Sequence, residues 1–236
     1  MFLRAALRRS LTALFLFSAC VNTAPAATRP LNAEDSRTEV ERIGALQTGI
    51  DSMAAQVRQR KTGRDPAREI NTEGHILLKK PNLLRWEIRS PEKLTIVVDG
   101  EYVWAYRPRA KEAKKRDLSR DMLARYTTEF FSSAIMVSYE DLSRRFTVTV
   151  YRENAGTVLE LVPKSSIASK YLKKVSISYR ASDGMPERFV VEGRNGNVTT
   201  TDMSDIKTRV PVSRDDFRLV LPKDVKIIGP EDNETQ

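Results

Sequence analysis

Residues 94–106, with the sequence LTIVVDGEYVWAY, decide the fold of this chain. Apolar and polar residues alternate on both sides of Asp99-Gly100, and Asp-Gly between two alternating runs is a strong β-hairpin signal. Residues 84–89 alternate in the same way just before it. We expect the large apolar side chains of these strands to share one buried face of a sheet. The predicted set is Leu84, Trp86, Ile88, Ile96, Val98, Trp104 and Tyr106.

More alternating runs follow towards the C-terminus, and Phe146 and Val148 are the inward residues of the first of them. Short turns separate consecutive runs, which predicts an antiparallel meander that curls into a barrel or half-barrel. The fold class is therefore mainly β. The further predicted strands are 145–151, 158–162, 174–179, 187–192 and 216–221, and the predicted loops are 58–68 and the basic segment 107–120.

Two segments have the period of an amphipathic helix. The first begins at Asp35 and Ser36, where Glu39 completes a Ser-x-x-Glu capping box. Its apolar stripe is Val40, Ile43, Leu46, Ile50, Met53 and Val57. The second begins at Ser119, and its apolar positions are Met122, Tyr126, Phe130 and Ala134, with Phe131 beside them. By pattern alone such stripes indicate helices packed on a core.

The N-terminus has the features of an export signal over residues 1–26. Arg4, Arg8 and Arg9 precede an apolar run, residues 11–17, that is too short to span a bilayer. Two cleavage sites compete: Ala24-Pro25-Ala26 fits ordinary processing, whereas residues 16–20 resemble a lipobox that would make Cys20 a lipidated N-terminus. We expect a linker at 27–35, one domain at 36–228 and a flexible acidic tail at 229–236.

The composition argues for binding rather than catalysis. The chain has 236 residues, 40% of them hydrophobic, which suits one domain with a real core. His75 is the only histidine and Cys20 the only cysteine, so a catalytic triad, a metal site or a disulfide in the mature domain is not expected. No phosphate-binding glycine motif occurs, and we predict no cofactor. Export also argues against a nucleic-acid partner despite the net charge of +9.

Four further segments stand in order along the chain: residues 79–86 (KKPNLLRW), 99–108 (DGEYVWAYRP), 161–164 (LVPK) and 217–222 (FRLVLP). Together they resemble the LolA family of periplasmic lipoprotein carriers, and the similarity runs from the first helix to about Ile228. The resemblance implies an unclosed antiparallel β-barrel covered by a helical lid, with an apolar cavity for the acyl chains of a client lipoprotein. It also implies an inner-membrane lipoprotein-releasing transporter and an outer-membrane receptor as partners of a monomeric carrier.

The resemblance assigns roles to individual residues. The nine apolar strand residues named above would line the cavity. The lid would comprise Ile43, Leu46, Ile50, Met53, Val57, Phe130 and Phe131. Lys80 stands where the family typically has an arginine that holds the lid shut, and a lysine lacks the planar fork of that group. Other departures, such as Leu84 for an aromatic residue, are compatible with a specialised paralogue.

Three functions remain open at this stage. The first is a periplasmic carrier that takes lipoproteins from inner to outer membrane. The second shares the fold but is anchored in the outer membrane through Cys20, as a receptor or lipid-handling accessory protein. The third is an envelope sensor of lipids or lipoproteins. The basic segment around Lys111, Lys114, Lys115 and Arg116 fits a solvated loop, and also a surface for an acidic partner or an anionic membrane.

Overall fold

The computed structural model describes residues 29–65, 69–119, 137–154 and 156–229. Within these residues, twelve strands form one sheet in the order β12-β6-β5-β4-β3-β2-β1-β11-β10-β9-β8-β7. All neighbours are antiparallel except β12, which lies parallel to β6. Strands β12 and β7 do not pair with each other, so the sheet is unclosed. The predicted mainly β class with an unclosed antiparallel sheet is confirmed.

The helices and strands have the following bounds. The helices are α1 (Ala33–Leu46), α2 (Tyr139–Arg145) and α3 (Ala168–Tyr171). The first six strands are β1 (Ser52–Thr62), β2 (Ile70–Lys79), β3 (Leu83–Ser90), β4 (Leu94–Asp99), β5 (Tyr102–Arg107) and β6 (Glu112–Asp117). The last six are β7 (Phe146–Glu153), β8 (Gly156–Pro163), β9 (Leu172–Arg180), β10 (Pro186–Gly193), β11 (Val198–Thr208) and β12 (Lys226–Ile228).

Helix α1 is shorter than its apolar stripe predicted. It begins inside the predicted linker, because Asn32 is the N-cap and its side chain accepts a hydrogen bond from the Asp35 amide at 2.8 Å. It ends at Leu46, and Gly49 follows with φ +74°, a left-handed conformation that glycine adopts without strain. The predicted continuation to Val57 is wrong, as is the capping box between Ser36 and Glu39.

Three other predicted boundaries are also wrong. Strand β1 extends to Thr62, into the first part of the predicted loop 58–68, and β6 occupies Glu112–Asp117 within the predicted loop 107–120. Charged residues form β6 because its backbone pairs with β5 on one side and β12 on the other. The predicted strand at 216–221 is instead a 3₁₀ turn at Arg214–Phe217 followed by extended chain. Strand β11 was not predicted because its many threonines and charges obscure the alternation.

The main core lies on one face of the sheet, called the inner face here, and α1 packs against it. Val40 and Ile43 of α1 are completely buried in the same cluster as Leu78 and Leu159 of the sheet. At the open edge of the sheet, the Leu31 amide donates to the Val150 carbonyl of β7 at 2.8 Å. This bond covers part of an edge strand that could otherwise pair with another chain.

The opposite, outer face carries a second, smaller buried group. Val97 of β4, Ala113 of β6 and Phe217 are each completely buried but lie outside the main cluster. The guanidinium of Arg85 donates to the carbonyl oxygens of Asp216 at 3.5 Å and Arg218 at 3.3 Å. These bonds hold the C-terminal segment across the outer face. Helix α1 and the C-terminal segment therefore cover opposite faces of the sheet.

Candidate ligand-binding face

Seven of the nine predicted cavity residues lie together on the inner face. On adjacent strands Leu84 is opposite Val98 and Trp86 is opposite Ile96, so these four side chains share a face. Leu84, Trp86 and Val98 are buried within the main cluster. The remaining three, Ile88, Phe146 and Val148, are partly buried and pack against it, as does Ile96.

Trp104 and Tyr106 lie on the outer face, and their predicted place in the cavity is wrong. The register of the β4–β5 hairpin pairs Val98 with Val103, so Trp104 lies opposite Val97 and Tyr106 opposite Thr95. The indole Nε1 of Trp104 donates to the Asp99 carboxylate at 3.0 Å. The inner positions of β5 are therefore Val103 and Ala105, which are smaller side chains.

The apolar surface continues across the rest of the sheet. Strand pairing places Met53, Ala55 and Val57 of β1 opposite inner-face residues of β2, and the row continues through β11 to β7. The buried members that sequence patterns did not assign to the site are Ile76, Leu78, Leu159, Leu161, Val175, Ile177, Phe189 and Met203. The alternation in Ile76 and Leu78 could have revealed β2, but the run HILLK is too short to separate a strand from a helix.

Only part of the predicted lid covers this face. Ile43 on α1 is fully buried, whereas Leu46 remains 41% exposed. Ile50 lies in the turn after α1, and Met53 and Val57 belong to β1, so these three residues form the wall that the helix covers. Phe130 and Phe131 lie outside the described residues.

A buried carboxylate fastens α1 to the sheet. Glu39 is 3% exposed, and its oxygens accept hydrogen bonds from Arg42 at 2.8 Å, Arg152 of β7 at 2.8 Å and Thr157 of β8 at 2.5 Å. The bonds from Arg42, then Thr157 and Arg152, outweigh desolvation and lower the pKa of Glu39 to about 2. The carboxylate is therefore ionised at neutral pH and holds the helix in place.

The C-terminal end of α1 has a second attachment. Gln47 is completely buried, donates from Nε2 to the Gly184 carbonyl at 2.7 Å and accepts from the Val137 amide at 2.8 Å. A Cβ on Gly44 would lie 2.4 Å from the Val137 carbonyl oxygen, so a glycine is needed where the chain before α2 approaches α1. The cover is thus anchored in its middle, at Glu39, and at its C-terminal end, at Gln47.

Lys80, the predicted latch, follows the last residue of β2 in the turn before β3 and is partly buried. Its amide donates to the Asp51 carbonyl at 2.8 Å, and burial lowers the pKa of its ammonium group. Within the described residues its side chain has no hydrogen-bond or ion-pair partner. The latch role stays a prediction.

The hydroxyl of Tyr179 on the inner face is also unpaired among the described residues. Tyr179 of β9 lies opposite Thr157, is 1% exposed, and its Oη has no hydrogen-bond partner in the described part of the chain. Burial raises the pKa of this phenol. An unpaired polar atom in an apolar core lowers the stability of the folded chain.

The described residues contain no group of three His, Cys, Asp or Glu side chains that could hold a metal ion. His75 lies on the outer face, with Nε2 3.6 Å from Glu87. None of the described helices is long and apolar enough to cross a membrane. Cys20, the candidate lipidation site, lies outside the described residues. What the inner face offers chemically is apolar surface beneath an anchored helix.

Comparison with known proteins identifies the family. The family model described as "Outer membrane lipoprotein carrier protein LolA" matches residues 48–220, from the turn before β1 to the segment on the outer face. This chain belongs to the LolA family. A relative from Methylobacillus flagellatus, named outer-membrane lipoprotein carrier protein, is 25% identical over 80% of this chain and 88% of its own. A relative of the same name from Yersinia pestis is 29% identical over 75% of this chain and 82% of its own length.

A similar fold is also found among solved structures. An uncharacterized conserved protein from Thermus thermophilus superposes with a TM-score of 0.50 and 15% identity, covering 84% of this chain and 99% of that one. At this identity the likeness concerns the fold alone. The LolA match includes the inner-face strands β1–β5 and β7–β11 but begins after α1, so the anchors at Glu39 and Gln47 lie outside the matched residues.

Proposed function

We propose that this protein is a periplasmic carrier that binds the acyl chains of lipoproteins on its inner face and takes them from the inner to the outer membrane. The observation that carries the proposal is the continuous apolar inner face, which extends across the sheet from β5 to β7 under the anchored helix α1. Membership of a family whose named relatives are lipoprotein carriers supports it.

The energetics of acyl chains explain why such a surface is needed. Each methylene removed from water contributes about 0.8 kcal/mol, so an acylated protein does not leave a bilayer unless another apolar environment receives it. The predicted cavity residues that share the inner face, from Leu84 to Val148, offer that environment. The carrier needs no catalytic group for this step, so an enzymatic activity is not part of the proposal.

Helix α1 provides a route to release. In the described state Val40 and Ile43 occupy inner-face surface that a ligand would need. Ligand and helix therefore compete for this surface. Displacing the helix costs free energy, so the apparent affinity for the ligand is lower than the affinity of the uncovered inner face. Lys80, at the end of β2, would bias this equilibrium as a latch, weaker than an arginine could be.

Two tryptophans on opposite faces of the sheet, on β3 and β5, give a matched test. Trp86→Ala alters the inner face and Trp104→Ala the outer face. We expect Trp86→Ala to weaken binding of a synthetic diacylated peptide at least tenfold, measured by fluorescence anisotropy, while Trp104→Ala binds within twofold of the unmodified protein. Because Trp86→Ala also removes core packing, Ile96→Gln at a half-buried inner position serves as a milder second variant. Equal binding by all four proteins would contradict the proposed site.

The destination of the protein depends on its N-terminus. We propose that cleavage removes residues 1–26, that a short linker ends near Asn32, where α1 begins, and that the mature protein is a monomer in the periplasm. The predicted acidic tail beyond Gly229 lies outside the described residues. Partners on the inner and outer membranes would load and receive the client. Lipidation of Cys20 would instead place the same fold on the outer membrane. Intact mass of the native protein, after separation of periplasm from membranes, distinguishes a start near Ala27 from an acylated Cys20.

A further inference from the structure

A solvent-exposed loop at one end of the sheet combines apolar and basic side chains. It joins β8 to β9 and contains α3, where Ile167 is 50% exposed and Tyr171 is 71% exposed. Lys164 and Lys170 are exposed on the same loop, and Arg194 is exposed on the adjacent turn between β10 and β11. These five residues are called the basic tip here.

Hydrogen bonds hold the basic tip in one shape. The Arg194 amide donates to the Tyr171 carbonyl at 2.9 Å, and its Nε donates to the Ser169 carbonyl at 3.1 Å. The Ser169 hydroxyl donates back to the Pro163 carbonyl at 3.0 Å. The exposed side chains therefore project from a bonded loop, and ordering them at a surface costs little additional backbone entropy.

The charge of the basic tip is not neutralised locally. Among the described residues, Lys164, Lys170 and Arg194 have no carboxylate partner. The side chains of Lys164 and Arg194 donate to backbone carbonyls, and that of Lys170 makes no hydrogen bond within the described part of the chain. The carboxylates on the neighbouring strands are already paired: Glu160 with Lys174 at 2.6 Å, and Glu192 with Lys173 at 3.0 Å. Three cations thus surround two exposed apolar side chains.

We propose that the basic tip docks on the surface of an anionic lipid bilayer. Tyrosine and aliphatic side chains insert at the level of the headgroups, and lysines and arginines around them contact anionic lipid. A protein partner fits less well, because a stable protein interface buries about 800 Å² on each side and is depleted in lysine. A few exposed side chains on one loop suit weak, reversible contact with a membrane.

None of the five residues of the basic tip belongs to the buried cluster of the proposed ligand-binding face. The tip follows the Pro163 end of β8, whereas the contact of α1 through Glu39 is made at Thr157, at the other end of that strand. Substitutions in the tip should therefore leave binding of acylated peptide unchanged. This separation allows membrane docking and ligand binding to be tested independently.

Vesicle co-sedimentation of the full mature chain tests the proposal. We expect binding to vesicles of phosphatidylglycerol mixed with phosphatidylcholine, little binding to phosphatidylcholine alone, and weaker binding as salt concentration rises. One basic residue near an anionic surface changes affinity on the order of fivefold, so Lys170→Glu should weaken binding about tenfold or more. Ile167→Ser and Tyr171→Ser should each weaken it several-fold.

Matched controls lie on the outer face in the C-terminal segment. Val220 is 88% exposed and Lys223 is exposed, so Val220→Ser and Lys223→Glu repeat the same chemical changes elsewhere. Tyr171→Trp adds a reporter, and quenching of its fluorescence by brominated lipid would show insertion. Equal losses in tip and control variants, or no binding to anionic vesicles, would overturn the proposal. Tip variants that impair transfer between membranes without affecting vesicle binding would assign the tip to a protein partner and also overturn it.

Discussion

The carboxylate of Glu39 on α1 accepts a hydrogen bond from Arg152 of β7 at 2.8 Å, which joins two residues 113 positions apart. Arg42 and Thr157 bind the same carboxylate, which is 3% exposed although Arg152 itself is 62% exposed. The contact thus fastens the covering helix to the edge of the sheet at the boundary between core and solvent. The stability of the folded chain with α1 in place therefore depends on the negative charge of Glu39.

Acid should loosen this attachment. The pKa of Glu39 is lowered to about 2 in the folded chain, below its ordinary 4.5. Its contribution is therefore fully present above about pH 4.5 and is lost as pH falls towards 2. A shift of this size corresponds to on the order of 3 kcal/mol. We expect Glu39→Gln to lower the free energy of unfolding by about that amount at pH 7, measured by urea denaturation, with the difference shrinking below pH 4.5.

The control for that measurement lies on the same helix. Glu41 is 59% exposed and 3.7 Å from Arg37, so Glu41→Gln makes the same chemical change at a solvated site. It should alter stability by less than about 0.5 kcal/mol. If Glu39→Gln keeps the acid sensitivity of the unmodified protein, the attachment is not the source of that sensitivity.

Replacement of Gly44 by alanine should destabilise the protein, even though alanine is more favourable than glycine inside a helix by up to about 1 kcal/mol. The new Cβ would lie 2.4 Å from the Val137 carbonyl oxygen, a backbone atom that cannot rotate away. We expect a net loss of about 1–3 kcal/mol by thermal or urea unfolding. Gly63→Ala is the control, because its nearest neighbour is the Asn197 side chain at 3.1 Å, which can move. A more stable Gly44→Ala variant would contradict this contact.

Gln47→Leu should weaken the cover and strengthen ligand binding. The substitution leaves the Gly184 carbonyl and the Val137 amide without their side-chain partner, at a cost of about 1–3 kcal/mol for each buried group. Because α1 and ligand compete for the inner face, a weaker cover raises the apparent affinity for a diacylated peptide. Gln56→Leu on β1, where the glutamine accepts a bond from Arg89, should leave that affinity unchanged. Reduced peptide affinity in Gln47→Leu would refute competition.

Removal of the Tyr179 hydroxyl should stabilise the folded protein. This group is buried without a hydrogen-bond partner among the described residues, so Tyr179→Phe removes a desolvation cost on the order of 1 kcal/mol. Tyr151→Phe is the matched control, because the Tyr151 hydroxyl donates to Glu160 at 3.4 Å. We expect a higher urea midpoint for Tyr179→Phe and an equal or lower one for Tyr151→Phe. A large loss in Tyr179→Phe would mean that the hydroxyl is paired in solution.

The sequence determined the class of this protein and much of its apolar face. Alternation in residues 84–98 and 146–150 identified seven residues of the inner face, because the two-residue period of a strand is local. The four segments that resemble the LolA family were equally readable. The same local information could not separate helix from strand at Met53 and Val57, since these positions fit the spacing of both structures.

The face that each strand presents depends on strand pairing in the folded chain. Trp104 alternates correctly within β5, yet the pairing of Val98 with Val103 turns it to the outer side, and a shift of one residue would reverse every position. Strand β6 forms from charged residues because β5 and β12 supply its backbone bonds, and Glu39 lost its predicted capping role to partners more than 110 residues away. Register and burial depend on contacts between distant segments, and local sequence periods carry no record of those contacts.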